Sequence, residues 1–220
     1  AIVLGDKAEE SFRQSLLQEK PSEQQWPHRA YAELLQADVL PDDLAHLVID
    51  CMRGHGATSI GVVANVAPPS PDGRDILGFI SYGYAQQLLR LGRIDEYLLF
   101  LYAHRYHAHT PGSWTAGEVS DLSGGMPLFC MPAQLTMPLL LRWMVVFEDS
   151  DGEALYLARA VPRRWMGGDK AIEMRAAPTR WGRVDMRLQP DGGHGVTGEV
   201  VLPDWIPGAV WLSLRAPEGK

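Results

Sequence analysis

A chain of 220 residues with 46% hydrophobic and 21% charged side chains has room for one large domain or two small ones, with a sizeable buried core. Its net charge of −7 argues against a nucleic-acid partner, because phosphate binding needs a clustered basic surface and the densest basic pair near an aromatic is only Arg163-Arg164. No stretch approaches the roughly 20 apolar residues of a membrane helix, and the apolar run Met137 to Leu141 is interrupted by Arg142.

Residues 8–19 place Phe12, Leu16 and Leu17 at helical spacing, and Pro21 stops the run. Residues 28–37 set Tyr31, Leu34 and Leu35 on one face. Pro41 opens a third helix, with Leu44, Leu47, Val48 and Met52 inward and Asp42 and Asp43 at its positive end; Gly54 and Gly56 end it. A long loop follows, with SIGVV as a short extended segment; such a loop is uncommon in a compact domain unless it serves function.

From Asp75 the spacing of Ile76, Phe79, Ile80, Tyr84, Leu88 and Leu91 predicts a helix capped by Gly92. Ile94 to His107 continues as a second helix, and the short connection makes a helical hairpin. A second long loop, 108–130, carries Trp114 and Glu118. Pro132 starts the last helix, whose apolar face is expected at Leu135, Leu139, Leu140, Trp143 and Val146, with a kink at Pro138. After Asp151 the periodicity changes to strands, with turns at Gly167-Gly168, Asp191-Gly192-Gly193 and Pro203-Asp204. Val196 to Leu202 and Val210 to Leu214 complete the β-part. Cys51 and Cys130 lie far apart without CxxC spacing, as expected of two buried free thiols. Ala1 opens no signal-peptide pattern and there is no initiator Met, so the chain is expected to be processed or cut from something longer.

The segment Leu155 to Leu188 is the most informative. An apolar strand, LYLARAVP, ends in Pro162; RRWMGG follows, then AIEMR, then the turn Arg180-Trp181-Gly182 and the strand RVDMRL. Val161, Pro162, Trp165, Gly167, Gly168 and Gly182 occupy the places of a junction in the α-L-rhamnosidase-like and β-L-arabinofuranosidase-like glycoside hydrolases, which the segment resembles. There an (α/α)6-barrel passes into a small β-domain. Val161 stands for the usual Leu, and Trp181 for the more common Gly or Arg. The resemblance implies a helical portion at 1–150, part of an (α/α)6 toroid, followed at 151–220 by a small C-terminal antiparallel β-sandwich. Six helices are half of the twelve such a toroid needs, so an upstream half or another chain is expected as partner.

Glycosidic cleavage usually takes two carboxyl groups, one protonating the leaving oxygen and one activating water or attacking the sugar. In SPDGRD, Asp72 and Asp75 flank Arg74; in TPGSWTAGE, Trp114 precedes Glu118 by four residues. Gly112, Trp114, Ala116 and Glu118 also match a Gly-x-Trp-x-Ala-x-Glu loop that follows a Tyr- and His-rich helix in the resembling proteins. An apolar neighbour holds a carboxylic acid protonated for general acid work. Glu118 is therefore expected as general acid, with Asp75 or Asp72 as its partner. Trp114, His104, His107, His109, Arg74 and Tyr82 would shape the subsite for an oligosaccharide or polysaccharide. Against this stand a solvated loop carboxylate for Glu118 and helix capping for Asp72 and Asp75. The histidines lack a Cys or carboxylate at a spacing that completes a metal site, and no HExxH appears. HGATSIG lacks the Lys-Ser/Thr ending of a phosphate loop, and Ser113 and Ser120 sit in no G-x-S-x-G elbow. Neither metal nor cofactor is expected. The rival readings are a non-catalytic glycan-binding or scaffolding module and a polysaccharide lyase with a Tyr or His base.

Overall fold

The structure, a computed structural model, describes residues 5–17, 26–64, 75–120, 129–150, 154–192 and 194–217. These form two compact units, Ala1–Met137 and Pro138–Lys220. The fold is mixed α/β, with seven helices and several small sheets among the described residues. None of these helices is long and apolar enough to cross a membrane.

The first unit opens with α1 (Asp6–Leu16), α2 (Trp26–Ala37) and α3 (Asp42–Gly54). Pro41 takes the N-cap of α3, one residue before the first turn, where Asp42 and Asp43 complement the helix dipole. The buried face of α3 is Leu44, Ala45, Val48, Ile49, Cys51 and Met52, while Leu47 is half-buried. Gly56 (φ 72°) closes the helix, with Gly56 N–H on Arg53 O and Ala57 N–H on Met52 O at 3.3 and 2.7 Å. The extended segment is a two-strand hairpin, β1 (Thr58–Ser59) and β2 (Val62–Val63).

The helix expected from Asp75 begins later. Ile76–Leu77 is a strand, β3, and α4 runs Tyr82–Arg90. Ile76, Phe79 and Ile80 have helical spacing, yet Gly78 and Gly83 weaken a helix here. The buried Ile76-Leu77 pair instead finds a partner in β4 (Val119–Ser120), in the register Ile76↔Ser120 and Leu77↔Val119. Helix α5 (Ile94–His107) follows α4 through a three-residue turn: Gly92 N–H bonds Leu89 O and Arg93 N–H bonds Leu88 O at 3.2 and 2.8 Å. Helix α4 crosses α2 closely at Gly83, where a Cβ would come within 2.9 Å of the Ala32 carbonyl and 2.8 Å of the Gln36 Cα.

Helix α6 spans Met131–Val145 with Pro138 in its interior. Its buried residues are Ala133, Thr136, Met137, Leu140, Met144 and Val145; of the expected face Leu140 is buried, Leu139 and Trp143 are half-buried, and Leu135 is 57% exposed. Val146, expected on that face, starts a strand.

In the second unit β5 (Val146–Glu148), β6 (Ala154–Leu157) and β10 (Ala209–Leu212) form one sheet in the order β10-β6-β5. Strand β10 pairs with β6 in parallel, so this part is not purely antiparallel as expected. A second sheet, β7 (Ile172–Thr179), β8 (Gly182–Pro190) and β9 (Val196–Val201), is antiparallel throughout. In β8, Val184, Met186, Leu188 and Pro190 are buried while Arg183 and Arg187 are exposed, the period-two pattern of a half-buried strand. Between β6 and β7, buried Val161 and Pro162 lead into the single turn α7 (Arg163–Met166). Glu148 ties the 180–182 turn to this unit, accepting from Arg142 Nη2 at 2.6 Å and from the Arg180 amide at 2.7 Å.

Candidate functional site

The end of α5 delivers a file of rings. Tyr84 and Phe100 are 6.1 Å apart between centroids, Phe100 stacks on His104 at 5.7 Å, and His104 meets His109 at 5.2 Å. His109 in turn meets Trp114 edge-on at 6.1 Å. Tyr84, Phe100 and His104 are fully buried, His109 nearly so, and Trp114 is 45% exposed. The file therefore runs from the core of the first unit to its surface.

The loop that presents Trp114 is clamped. Thr110 N–H bonds the Thr115 carbonyl at 2.8 Å, and Thr110 Oγ1 accepts the Thr115 amide at 3.1 Å. The Trp114 amide closes on Thr110 O at 3.1 Å. Gln134 of α6 reads the loop from beside it: its Oε1 accepts the Ala116 amide at 3.0 Å and its Nε2 donates to the Trp114 carbonyl. Within this clamp Gly112 has φ 86° and Trp114 φ 56°. A positive φ is rare for a large aromatic and costs on the order of 1–3 kcal/mol, so the loop contacts hold the indole in a conformation it would not choose.

Trp114, Tyr106, Arg105 and His109, with Thr110 and Gly112, line a pocket of about 280 Å³. The Arg105 guanidinium lies 4.9 Å from the Tyr106 ring centroid and 5.3 Å from that of Trp114. It also donates to Tyr106 Oη at 3.3 Å, and it forms no ion pair among the described residues.

Both buried histidines are fixed by carbonyls. A carbonyl only accepts, so His104 donates Nε2–H to Gly78 O at 3.3 Å, and His109 donates Nδ1–H to His104 O at 3.4 Å. This leaves His104 Nδ1 and His109 Nε2 as buried acceptors without a partner among the described residues. Burial pushes the His104 pKa down to about 4, helped by nearby His109 and opposed by the Gly78 hydrogen bond. Burial likewise lowers His109, opposed by its bond to His104 O. Both rings are neutral at pH 7. The Gly78 carbonyl that orients His104 also accepts from Ser81 Oγ at 3.1 Å and has Thr136 Oγ1 at 3.4 Å, joining β3, α4, α5 and α6 at one atom.

Of the expected site residues, the structure brings together His104, His109 and Trp114. His107 is exposed on the last turn of α5 and is not in the pocket. Tyr82 is half-buried at the start of α4, where its hydroxyl accepts from Gln36. Asp72 and Arg74 lie outside the described residues. Glu118 is exposed immediately before β4, and half-buried Asp75 lies immediately before β3. The β3–β4 register puts these two carboxylates beyond opposite ends of the two-pair ladder. Three residue steps of roughly 3.3 Å separate their positions, about 10 Å along the strand direction. Asp75 is thus poorly placed to partner Glu118. Arg105 and Tyr106 belong to the pocket although sequence reasoning did not single them out as lining residues; their position beside His104, on the helix turn facing the 108–116 loop, was the available signal.

A larger cavity of about 500 Å³ lies among Asp50, Arg53, Tyr84, Glu96 and Leu99. Its charges already satisfy one another: Arg53–Glu96 at 2.6 Å, Arg93–Asp50 at 2.7 Å and Arg93–Glu96 at 2.8 Å. The Trp114 pocket, with a cation that has no ion pair among the described residues and with exposed rings, is the better ligand site despite its smaller volume. Among the described residues no group of three or more His, Cys, Asp or Glu side chains is placed to hold a metal. Cys51 is a buried free thiol, raised by burial, and Cys130 is half-buried and free. No protein-family model matches the chain, and no match to it was found among curated proteins or solved structures.

Proposed function

We propose that the Trp114 pocket is a carbohydrate subsite and that the chain is a carbohydrate-active protein. One observation carries this reading: an exposed indole is held at positive φ by a hydrogen-bonded loop, beside a ring-stacked arginine. A pyranose presents an apolar face of C–H groups and a polar rim. Such a ligand suits a flat aromatic wall with a few fixed polar groups at its edge, and about 280 Å³ holds roughly one sugar ring. Because the loop is already clamped, little ordering is left for the ligand to pay for.

The finer reading is a glycoside hydrolase built on an (α/α)6 toroid with a C-terminal β-domain. It rests on the Val161-to-Gly182 junction, on the Gly112-to-Glu118 loop, and on six helices that precede strands starting at Val146. In that reading Glu118 is the proton donor, exposed on the segment that leaves the Trp114 loop. Its carboxylate partner is Asp72 or a group from an upstream barrel half, since Asp75 lies beyond the opposite end of the β3–β4 ladder. A non-catalytic glycan-binding module shares the pocket and lacks the partner carboxylate.

A glycan array probed with the wild-type chain and with Trp114→Ala tests the subsite. Saccharide binding that falls at least tenfold in the variant is the expected result. Absence of any binding, or binding indifferent to Trp114, would sink the carbohydrate reading.

A further inference from the structure

We infer that the ligand of the Trp114 pocket is an acidic saccharide, one whose carboxylate or sulfate is held by Arg105; this rests on the carbohydrate reading of the same pocket and specifies its chemical class. The protein carries a net charge of −7, so a locally cationic pocket runs against its average. Arg105 supplies the one formal charge among the lining residues. Among the described residues no carboxylate pairs with it, whereas Arg53, Arg90, Arg93 and Arg142 each reach an Asp or Glu within 3.0 Å.

The Arg105 guanidinium carbon lies over the Tyr106 and Trp114 rings, and the group carries five N–H donors. Tyr106 Oη takes one of them, at 3.3 Å, longer than a strong hydrogen bond. A planar guanidinium held against rings offers a fork that matches a carboxylate, with two parallel charge-assisted bonds. The same arginine lies 5.3 Å from the Trp114 ring centroid, close enough for one sugar to meet the indole with its ring and the fork with its acidic substituent. A neutral sugar would use the indole and leave the guanidinium to water.

The test is an array of matched oligosaccharide pairs, each uronate-containing glycan beside its neutral counterpart of identical linkage, probed with wild type, Arg105→Gln and Trp114→Ala at low and high salt. The expected result is roughly tenfold or greater preference for the uronate member, as befits a charged hydrogen bond in a partly exposed pocket. In Arg105→Gln the two members of each pair should bind alike, and in the wild type the preference should weaken at high salt. Equal binding of both members by the wild type, or a preference that survives Arg105→Gln, overturns the acidic-ligand assignment while leaving the subsite intact. Loss of binding to every glycan in wild type overturns both.

Discussion

The imidazole of His109 meets the edge of the Trp114 indole at 6.1 Å, with the ring planes 61° apart. Through this contact an exposed ring of the pocket rests on a side chain that is itself nearly sealed from solvent, and His109 rests on His104. A ligand that shifts the indole therefore changes the hydration of an ionisable group beneath it.

Trp114→Ala should raise the His109 pKa. Burial holds it below the ordinary 6.5 or so, and removing the indole lets water reach Nε2 and stabilise the charged form. Imidazole resonances followed by NMR across pH 4 to 8 report the shift. An unchanged titration would mean that the indole does not seal the ring.

His104 should make folding sensitive to acid. In the unfolded chain it takes a proton near pH 6.5, and in the folded protein only near 4. Between those values the unfolded state binds more protons, so stability falls as pH drops through the window and levels off below it. The shift corresponds to roughly 3 kcal/mol at full extent. His104→Phe keeps a ring against Phe100 and should flatten this part of the curve. Urea midpoints at pH 7 and pH 4.5 for both proteins measure it, and equal slopes would remove His104 as the source.

Gly83→Ala should destabilise the first unit by about 1–3 kcal/mol, the usual cost of overpacking. The added methyl meets the Ala32 carbonyl and the Gln36 backbone at less than 3.0 Å, and neither is a flexible side-chain end. Thermal unfolding reads the effect. A neutral result would show that α2 and α4 separate without penalty.

If the complete protein hydrolyses glycosides, Glu118→Gln should lower turnover on alkyl glycosides by roughly 10²–10⁴ and spare activated aryl glycosides, which need little protonation. Asp75→Asn should have a much smaller effect, because the β3–β4 register leaves Asp75 beyond the far end of the ladder from Glu118. Steady-state kinetics on matched aryl and alkyl substrates decide between them. A crippling Asp75→Asn with an active Glu118→Gln would reverse the assignment.

Local periodicity made the helices and β8 legible. The bounds of α5, Ile94–His107, follow from its apolar spacing and the Gly92 cap, and β8 follows from strict alternation at Val184, Met186 and Leu188. Ile76 deceived because two residues of strand next to a helix can share helical spacing with it, and only pairing with distant Ser120 distinguishes the two. On α6 the expectation failed at Leu135, because leucines crowd the helix all round and Leu135 and Leu140 look alike until packing selects one. In the site, the His-rich helix end and the Trp loop could be seen from residue types alone. The separation of Asp75 from Glu118 could not, since cross-strand register is set by contacts between distant segments. His104 and His107 are three residues apart and were grouped together, yet one is buried and the other points out where α5 outruns the core.

Strand β6 lies at the centre of its sheet, and its parallel neighbour β10 is drawn from far along the chain, after β7, β8 and β9 have been made. During synthesis the β5–β6 hairpin therefore leaves the ribosome with one edge bare, and a parallel partner cannot reach it by a tight turn. The β7-β8-β9 meander has only neighbouring partners and can form at once. Nascent chains of this protein should pass through a stage in which Leu155 and Leu157 sit beside an open strand edge, the interval in which a chaperone has most to shield and a truncated message does most harm.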